Sequence, residues 1–232
     1  MNDLGAPDQP ASEPASAPSR IGRRRNVARE DGGSKGYRKR REEIAEAAVR
    51  VFNRLGYERA SLSAVAAELE IDRASLYYYI GSKEELFDEV VRTVVERNTE
   101  IAVRIENSEL APRRKLRELI IALMNSYGHH YPLLYIYIRE NLSHVSDKRS
   151  DWSQHMRTQN RKTEDSMIAI IEQGYADGSF RNVGSPRVVV YGILGMLGWT
   201  NRWFRPDRSD VSVEEIGKTF AEMVLGGLET PY

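Results

Sequence analysis

Residues 61–83, SLSAVAAELEIDRASLYYYIGSK, constrain this chain more than any other stretch. Leu62, Val65, Ala66 and Leu69 recur at helical spacing and give one short helix an apolar face. Ser61 and Ser63 both suit its N-cap, because a serine hydroxyl accepts from the N–H groups left unpaired at a helix start. Small Ala66 and Ala67 let a second helix cross closely. Ile71 plugs the turn and Asp72 caps the next helix, where Leu76 and Ile80 lie four apart and face inward. Two short helices crossing through a tight turn form a helix-turn-helix, which lays its second helix in the DNA major groove.

The outward side chains carry the chemistry. Arg73, Ala74, Ser75 and Tyr78 stand where a recognition helix meets base edges, and Tyr77 and Tyr79 bring hydroxyls that donate to phosphates. Lys83 adds a point charge. Three consecutive tyrosines span about 200° of a helix, so at least one faces water or a partner. Arg38 and Arg40, with Ser61 and Ser63, complete the expected DNA-facing set. The run Arg38, Lys39, Arg40, Arg41 opposes the dipole of the helix it opens, a conflict that nearby phosphates relieve.

The segment resembles the DNA-binding domain of the TetR family of bacterial repressors over roughly residues 37–91. Ile44, Ala47, Ala48, Phe52, Gly56 and Tyr57 carry the resemblance first. Residues 61–66, Leu76, Tyr77, Tyr79, Ile80 and the run 82–86 follow in order. Two positions depart from the family pattern. Glu70 stands where a turn glycine is common and is strained if its φ is positive. Ile80 replaces a common phenylalanine, one core apolar for another.

Formal net charge is zero over 232 residues, yet 20–41 holds ten Arg/Lys against Glu30 and Asp31. The remainder is acidic on balance, and a basic end on such a body is what local phosphate binding requires. Cysteine is absent, which excludes a disulfide scaffold and thiolate chemistry. The most apolar run, 188–199, is well short of the ~20 residues a membrane span needs. We therefore expect a soluble, cytoplasmic protein with no membrane partner and no cofactor.

Residues 1–36 read as a disordered basic arm, 37–82 as the helix-turn-helix domain and 83–232 as a ligand-binding and dimerisation domain. The Pro/Ala/Ser-rich start lacks the apolar core of a secretory signal. The arm, centred on Arg23, Arg24 and Arg25, either binds phosphates and a minor groove or is a solvated tail. Helices are expected at 38–55, stopped by Gly56, and at 83–107, opened by a Ser82/Glu85 capping box. Others follow at 112–127, 132–144, 151–176 and 185–204, and Ser212 with Glu215 caps a last one. The fold expected is all-α, with about nine helices.

Gly192, Gly195 and Gly198 recur every third residue, and each costs a helix about 1 kcal/mol relative to alanine. Close helix–helix approach would offset them. With Ile216, Phe220, Met223, Val224 and Leu228 of the last helix, they point to a two-fold four-helix dimer interface, which the resemblance also implies. The other reading is a core helix within one chain. A dimer would place two recognition helices about 34–36 Å apart, in successive major grooves.

Met124, Tyr127, Tyr131, Tyr135, Tyr137, Trp152, Met156, Met167, Trp199 and Trp203 make an aromatic, methionine-rich core. Periodicity alone reads this as packing; the resemblance implies a small apolar effector held there. Trp199 and Trp203, with Arg202 and Arg205 beside them, would stack a flat ring and hold a phosphate. That stretch is similar to one in actinobacterial regulators of lipid catabolism, some of which sense acyl-CoA thioesters. Its other reading is a helix end whose tryptophans pack and whose arginines cap carbonyls.

A metal-binding all-helical enzyme is the competing class, with His129, Glu140 and His144 as its ligands. No phosphate-binding glycine loop or nucleophile elbow supports it. The expectation is a repressor that holds a palindromic operator as a dimer and releases it when an effector moves helix 83–107. An activator, or a regulator without effector, is the alternative within that class.

Overall fold

Side-chain caps set most helix starts in the computed structural model, which describes residues 34–143 and 151–228. Helix α1 (Lys35–Leu55) begins earlier than expected because the Ser34 hydroxyl accepts from the Tyr37 N–H at 3.2 Å. It ends at Gly56, whose φ of +75° suits glycine and whose N–H bonds the Phe52 carbonyl at 2.8 Å. Helix α2 (Leu62–Glu68) is capped by Ser61, which accepts from Ala64 N–H, so Ser63 lies inside the helix. Helix α3 (Arg73–Tyr79) is capped by Asp72, which accepts from Ser75 N–H at 2.8 Å. Glu70, in the turn between, has a φ of +54°, the left-handed value that its position foreshadowed.

Helix α4 (Lys83–Glu106) opens on Ser82, which accepts from Glu85 N–H at 3.1 Å, while the Glu85 carboxylate takes the Gly81 N–H at 2.8 Å. There follow α5 (Pro112–His129), α6 (Leu133–Ser143), α7 (Asp151–Ala176), α8 (Pro186–Trp199) and α9 (Val213–Leu228). Nine α-helices and no strand occur among the described residues, the all-α fold expected. Helix α8 stops at Trp199 rather than at 204. The Thr200 hydroxyl donates to the Leu197 carbonyl at 2.6 Å, and the chain tightens into a 3-10 turn, Thr200–Arg202.

Two buried clusters organise the packing. The first gathers Ile44, Val51, Phe52, Val65, Leu76 and Ile80, then runs past residue 82 into Leu86, Val90, Leu133, Leu134 and Met156. The second holds Leu116, Leu119, Ile120, Met124, Met167, Ile193, Ile216 and Leu225. Helix α4 feeds both, with Val94 and Val95 in the first and Ala102 and Ile105 in the second. It also lies along α7, where the Thr99 and Thr163 hydroxyls meet at 3.1 Å.

Close approach falls on glycines other than the expected trio. A Cβ on Gly128 would come within 2.5 Å of Val213, and one on Gly217 within 3.3 Å of the Met124 Cβ. These two let α5 and α9 pack tightly. The arm, most of it within 1–33, and His144 lie outside the described residues, as does the Glu140 side chain.

Candidate nucleic-acid interface and ligand core

Leu76 and Ile80 are completely buried, and this decides which side of α3 remains available. Arg73, Ala74 and Ser75 are exposed at its N-terminal end, while Tyr77, Tyr78 and Tyr79 are each half-buried. The Arg73 guanidinium folds back along the helix, donating to the Tyr77 hydroxyl at 2.9 Å and lying 5.2 Å from its ring centre. Ser75 is committed to its cap, and its hydroxyl and backbone N–H together hold the Asp72 carboxyl below the usual range. Tyr37 of α1 stacks on Tyr79 at 5.1 Å and meets Tyr78 edge-on at 5.9 Å, which pins α1 to α3.

The basic opening of α1 divides. Arg38 is exposed, and Arg40 pairs with Glu43 at 2.6 Å. Arg41, read from sequence as one of a phosphate-facing run, instead turns inward to Glu89 of α4. Burial opposes its charge, but the hydrogen bond and charge of Glu89 raise its pKa above the ordinary arginine value. The missed signal was the Glu85/Glu89 pair, four apart on one face of α4. Nothing local links it to Arg41. Lys83, expected on a phosphate, donates to the Glu58 carbonyl at 3.1 Å.

The expected ligand residues separate. Met124, Met156 and Met167 are sealed in the core, Met156 in the first cluster and the other two in the second. Trp152 sits between α7 and α4, its indole N–H donating to the Asp88 carbonyl at 3.3 Å. Tyr127, Tyr131 and Tyr135 do come together. Tyr135 meets Tyr131 edge-on at 5.4 Å and Tyr127 at 6.3 Å, and its hydroxyl bonds Thr200 at 3.0 Å. Burial, then the neighbouring Tyr135 and Tyr137, push the Tyr127 phenol up to about 12.

Trp199, Arg202 and Trp203 do not join this group. Trp199 is 63% exposed and Trp203 47%, and the Arg202 guanidinium lies over the Trp199 ring at 5.5 Å. The reason is the end of α8: buried Thr200 takes the inward position, which leaves Trp199 on the outer surface. A groove of about 810 Å³ between α4 and α7 is lined by Glu96, Thr99, Arg104, Gln159 and Lys162 among others, none of them an expected ligand residue. Among the described residues no three His, Asp or Glu side chains gather as a metal site, and no helix is long and apolar enough to cross a membrane.

A capped α2, a tight turn and an α3 with an exposed N-terminal face define a helix-turn-helix DNA-binding protein. The model for bacterial regulatory proteins of the tetR family matches residues 44–90, and that for the tetracyclin repressor-like C-terminal domain matches 109–228. The chain belongs to the TetR family of transcriptional regulators. It is 28% identical to the HTH-type transcriptional repressor KstR2 of Mycolicibacterium smegmatis over 194 residues, 82% of this chain and 90% of that protein. It is 29% identical to the HTH-type transcriptional repressor NicS of Pseudomonas putida over 61% of this chain and 66% of that one. The structure of the ketosteroid transcriptional regulator KstR2 of Mycobacterium tuberculosis superposes with a TM-score of 0.65 at 25% identity, covering 83% of this chain and 96% of that one.

Proposed function

We propose that the chain is a cytoplasmic repressor without enzymatic activity, whose paired α3 helices grip a palindromic operator until a small apolar effector releases them. The two-sided character of α3 carries the reading. Leu76 and Ile80 anchor it, and Arg73, Ala74 and Ser75 are exposed at the end that enters a major groove. Tyr78 joins them at base edges, while Tyr77, Tyr79, Lys83, Arg38 and Arg40, with Ser61 and Ser63 at the start of α2, serve the flanking backbone. On this reading 37–82 is the DNA-reading unit, 83–232 the effector and dimer unit, and 1–36 an arm.

The glycines of α8 support a dimer. Among the described residues a Cβ on Gly192, Gly195 or Gly198 would meet nothing within 4 Å, so nothing there offsets their cost to the helix. Val188, Tyr191, Trp199 and Met223 are exposed on α8 and α9, an apolar face that a second copy would cover. Phe220 and Val224 pack partly on the second cluster and would line its edge.

The tyrosine group supports the effector site. Tyr135 meets Tyr127 and Tyr131 edge-on, and both of these keep part of their surface accessible. Tyr131 and Tyr135 would complete the aromatic wall. The M. tuberculosis relative is described as a ketosteroid regulator, and a rigid apolar molecule of that class suits such a wall. An acyl-CoA would place its acyl chain there and its phosphates elsewhere, since Arg202 lies outside.

The test is selection of a duplex from a randomised pool, followed by scrambling one half-site. The proposal expects two chains per palindrome and a sharp loss of affinity on scrambling. Titrating the complex with a ketosteroid and with an acyl-CoA then tests the effector class: no release by either would refute both assignments.

A further inference from the structure

Arg41 stands beside Arg38, Lys39 and Arg40 at the opening of α1, yet only 8% of it is exposed. Its guanidinium reaches two other helices. Nη2 donates to Glu89 at 2.6 Å and lies 3.8 Å from Glu85, both on α4. Nη1 donates to the carbonyl of Tyr79, the last residue of α3, at 3.4 Å. Carbonyls in the last turn of a helix lack intrahelical partners and gather partial negative charge. One planar group on α1 therefore ties the C-terminal end of the recognition helix to the first turns of α4.

A buried ion pair adds little stability, because desolvation cancels most of the attraction and an apolar pair of similar volume does as well or better. It does supply direction. A guanidinium fork satisfies its acceptors only in a fixed plane, whereas the apolar contacts of Leu76, Ile80, Leu86 and Val90 tolerate small rotations. Arg92, on α4 itself, also pairs with Glu89, so Glu89 keeps a partner if Arg41 lets go. The contact can thus break without leaving Glu89 unpaired.

We propose that Arg41 is a positioning residue for DNA recognition: it fixes the angle of α3 against α4. This rests on the DNA reading above. Arg41 itself does not touch DNA.

The test compares wild type, Arg41→Lys and the double variant Arg41→Met/Glu89→Leu, which replaces the pair by apolar side chains. The probes are the duplex that wild type selects from a randomised pool and a scrambled duplex of equal length. The double variant should keep its thermal midpoint and its affinity for scrambled DNA, and lose roughly tenfold or more on the selected duplex. Arg41→Lys, which keeps the charge but not the fork, should fall between. Unchanged affinity of the double variant for the selected duplex overturns the proposal. A parallel loss of midpoint and both affinities also overturns it, since that marks a structural pair only. If wild type selects no duplex, the DNA reading fails and the positioning role falls with it.

Discussion

Lys83 donates to the backbone carbonyl of Glu58 at 3.1 Å while its ammonium lies 4.4 Å from the centre of the Tyr57 ring. The contact braces the start of α4 against the loop between α1 and α2, so Lys83 has a task in the free protein. Lys83→Ala should lower stability by about 1 kcal/mol through the lost bond and cation–π contact. It should also weaken binding to selected and scrambled DNA alike and flatten the salt dependence. Urea denaturation beside a salt titration checks both, and unchanged stability would show that the brace is not held in solution.

Glu70 holds a left-handed backbone that costs a residue with a Cβ roughly 1–2 kcal/mol. Its side chain is exposed. Glu70→Gly should therefore raise the unfolding midpoint, by somewhat less than that figure because glycine loses more freedom on folding. A lowered midpoint would mean that the turn relaxes away from this conformation.

The open surroundings of Gly192 and Gly195 give a prediction whose sign depends on assembly. In a lone chain, alanine at both positions should stabilise α8 by about 1 kcal/mol each. In a dimer packed through that face, the added methyl groups should push the copies apart. Sedimentation of Gly192→Ala/Gly195→Ala should show dissociation at concentrations where wild type stays paired. A more stable protein of unchanged mass would refute the interface.

His130 is held below the ordinary imidazole range by burial, opposed by the Ser126 carbonyl 2.8 Å from Nδ1 and assisted by the charges of His129 and Arg97. The unfolded value is the higher one, so between the two the unfolded chain binds more protons. Stability should fall as pH drops below about 6.5 towards the folded value. Thermal midpoints from about pH 7.5 to 5 should show this slope, and His130→Gln should remove it. Glu68 and Asp72, whose pKa values are lowered, contribute stability that is lost only as pH falls from the ordinary carboxylate range towards their folded values.

Most of the fold was legible because its signals are local. Ser61, Asp72, Ser82 and Ser212 each accept from the N–H three residues on, a bond set within one turn of chain. The inward faces of α2 and α3 followed from spacing in the same way. Contacts made at a distance stayed hidden. Arg41 finds Glu89 across 48 residues, and Thr200 ends α8 with help from Tyr135, 65 residues away. Lys83 likewise meets Glu58 only because the fold returns the chain there. The glycines show the same limit: Gly128 and Gly217 touch partners that no spacing reveals, while Gly192 and Gly195 face outward.

The most direct measurement compares wild type and Arg73→Ala on the selected duplex and on scrambled DNA at one fixed salt concentration. Arg73 stands exposed at the N-terminal end of α3, held by the hydroxyl and ring of Tyr77, a contact it can exchange for a base edge. The expected result is a loss of ~1–3 kcal/mol on the selected duplex, relaxed preference at one base pair, and little change on scrambled DNA. Equal losses on the two DNAs, or none on either, would contradict the reading of DNA by α3.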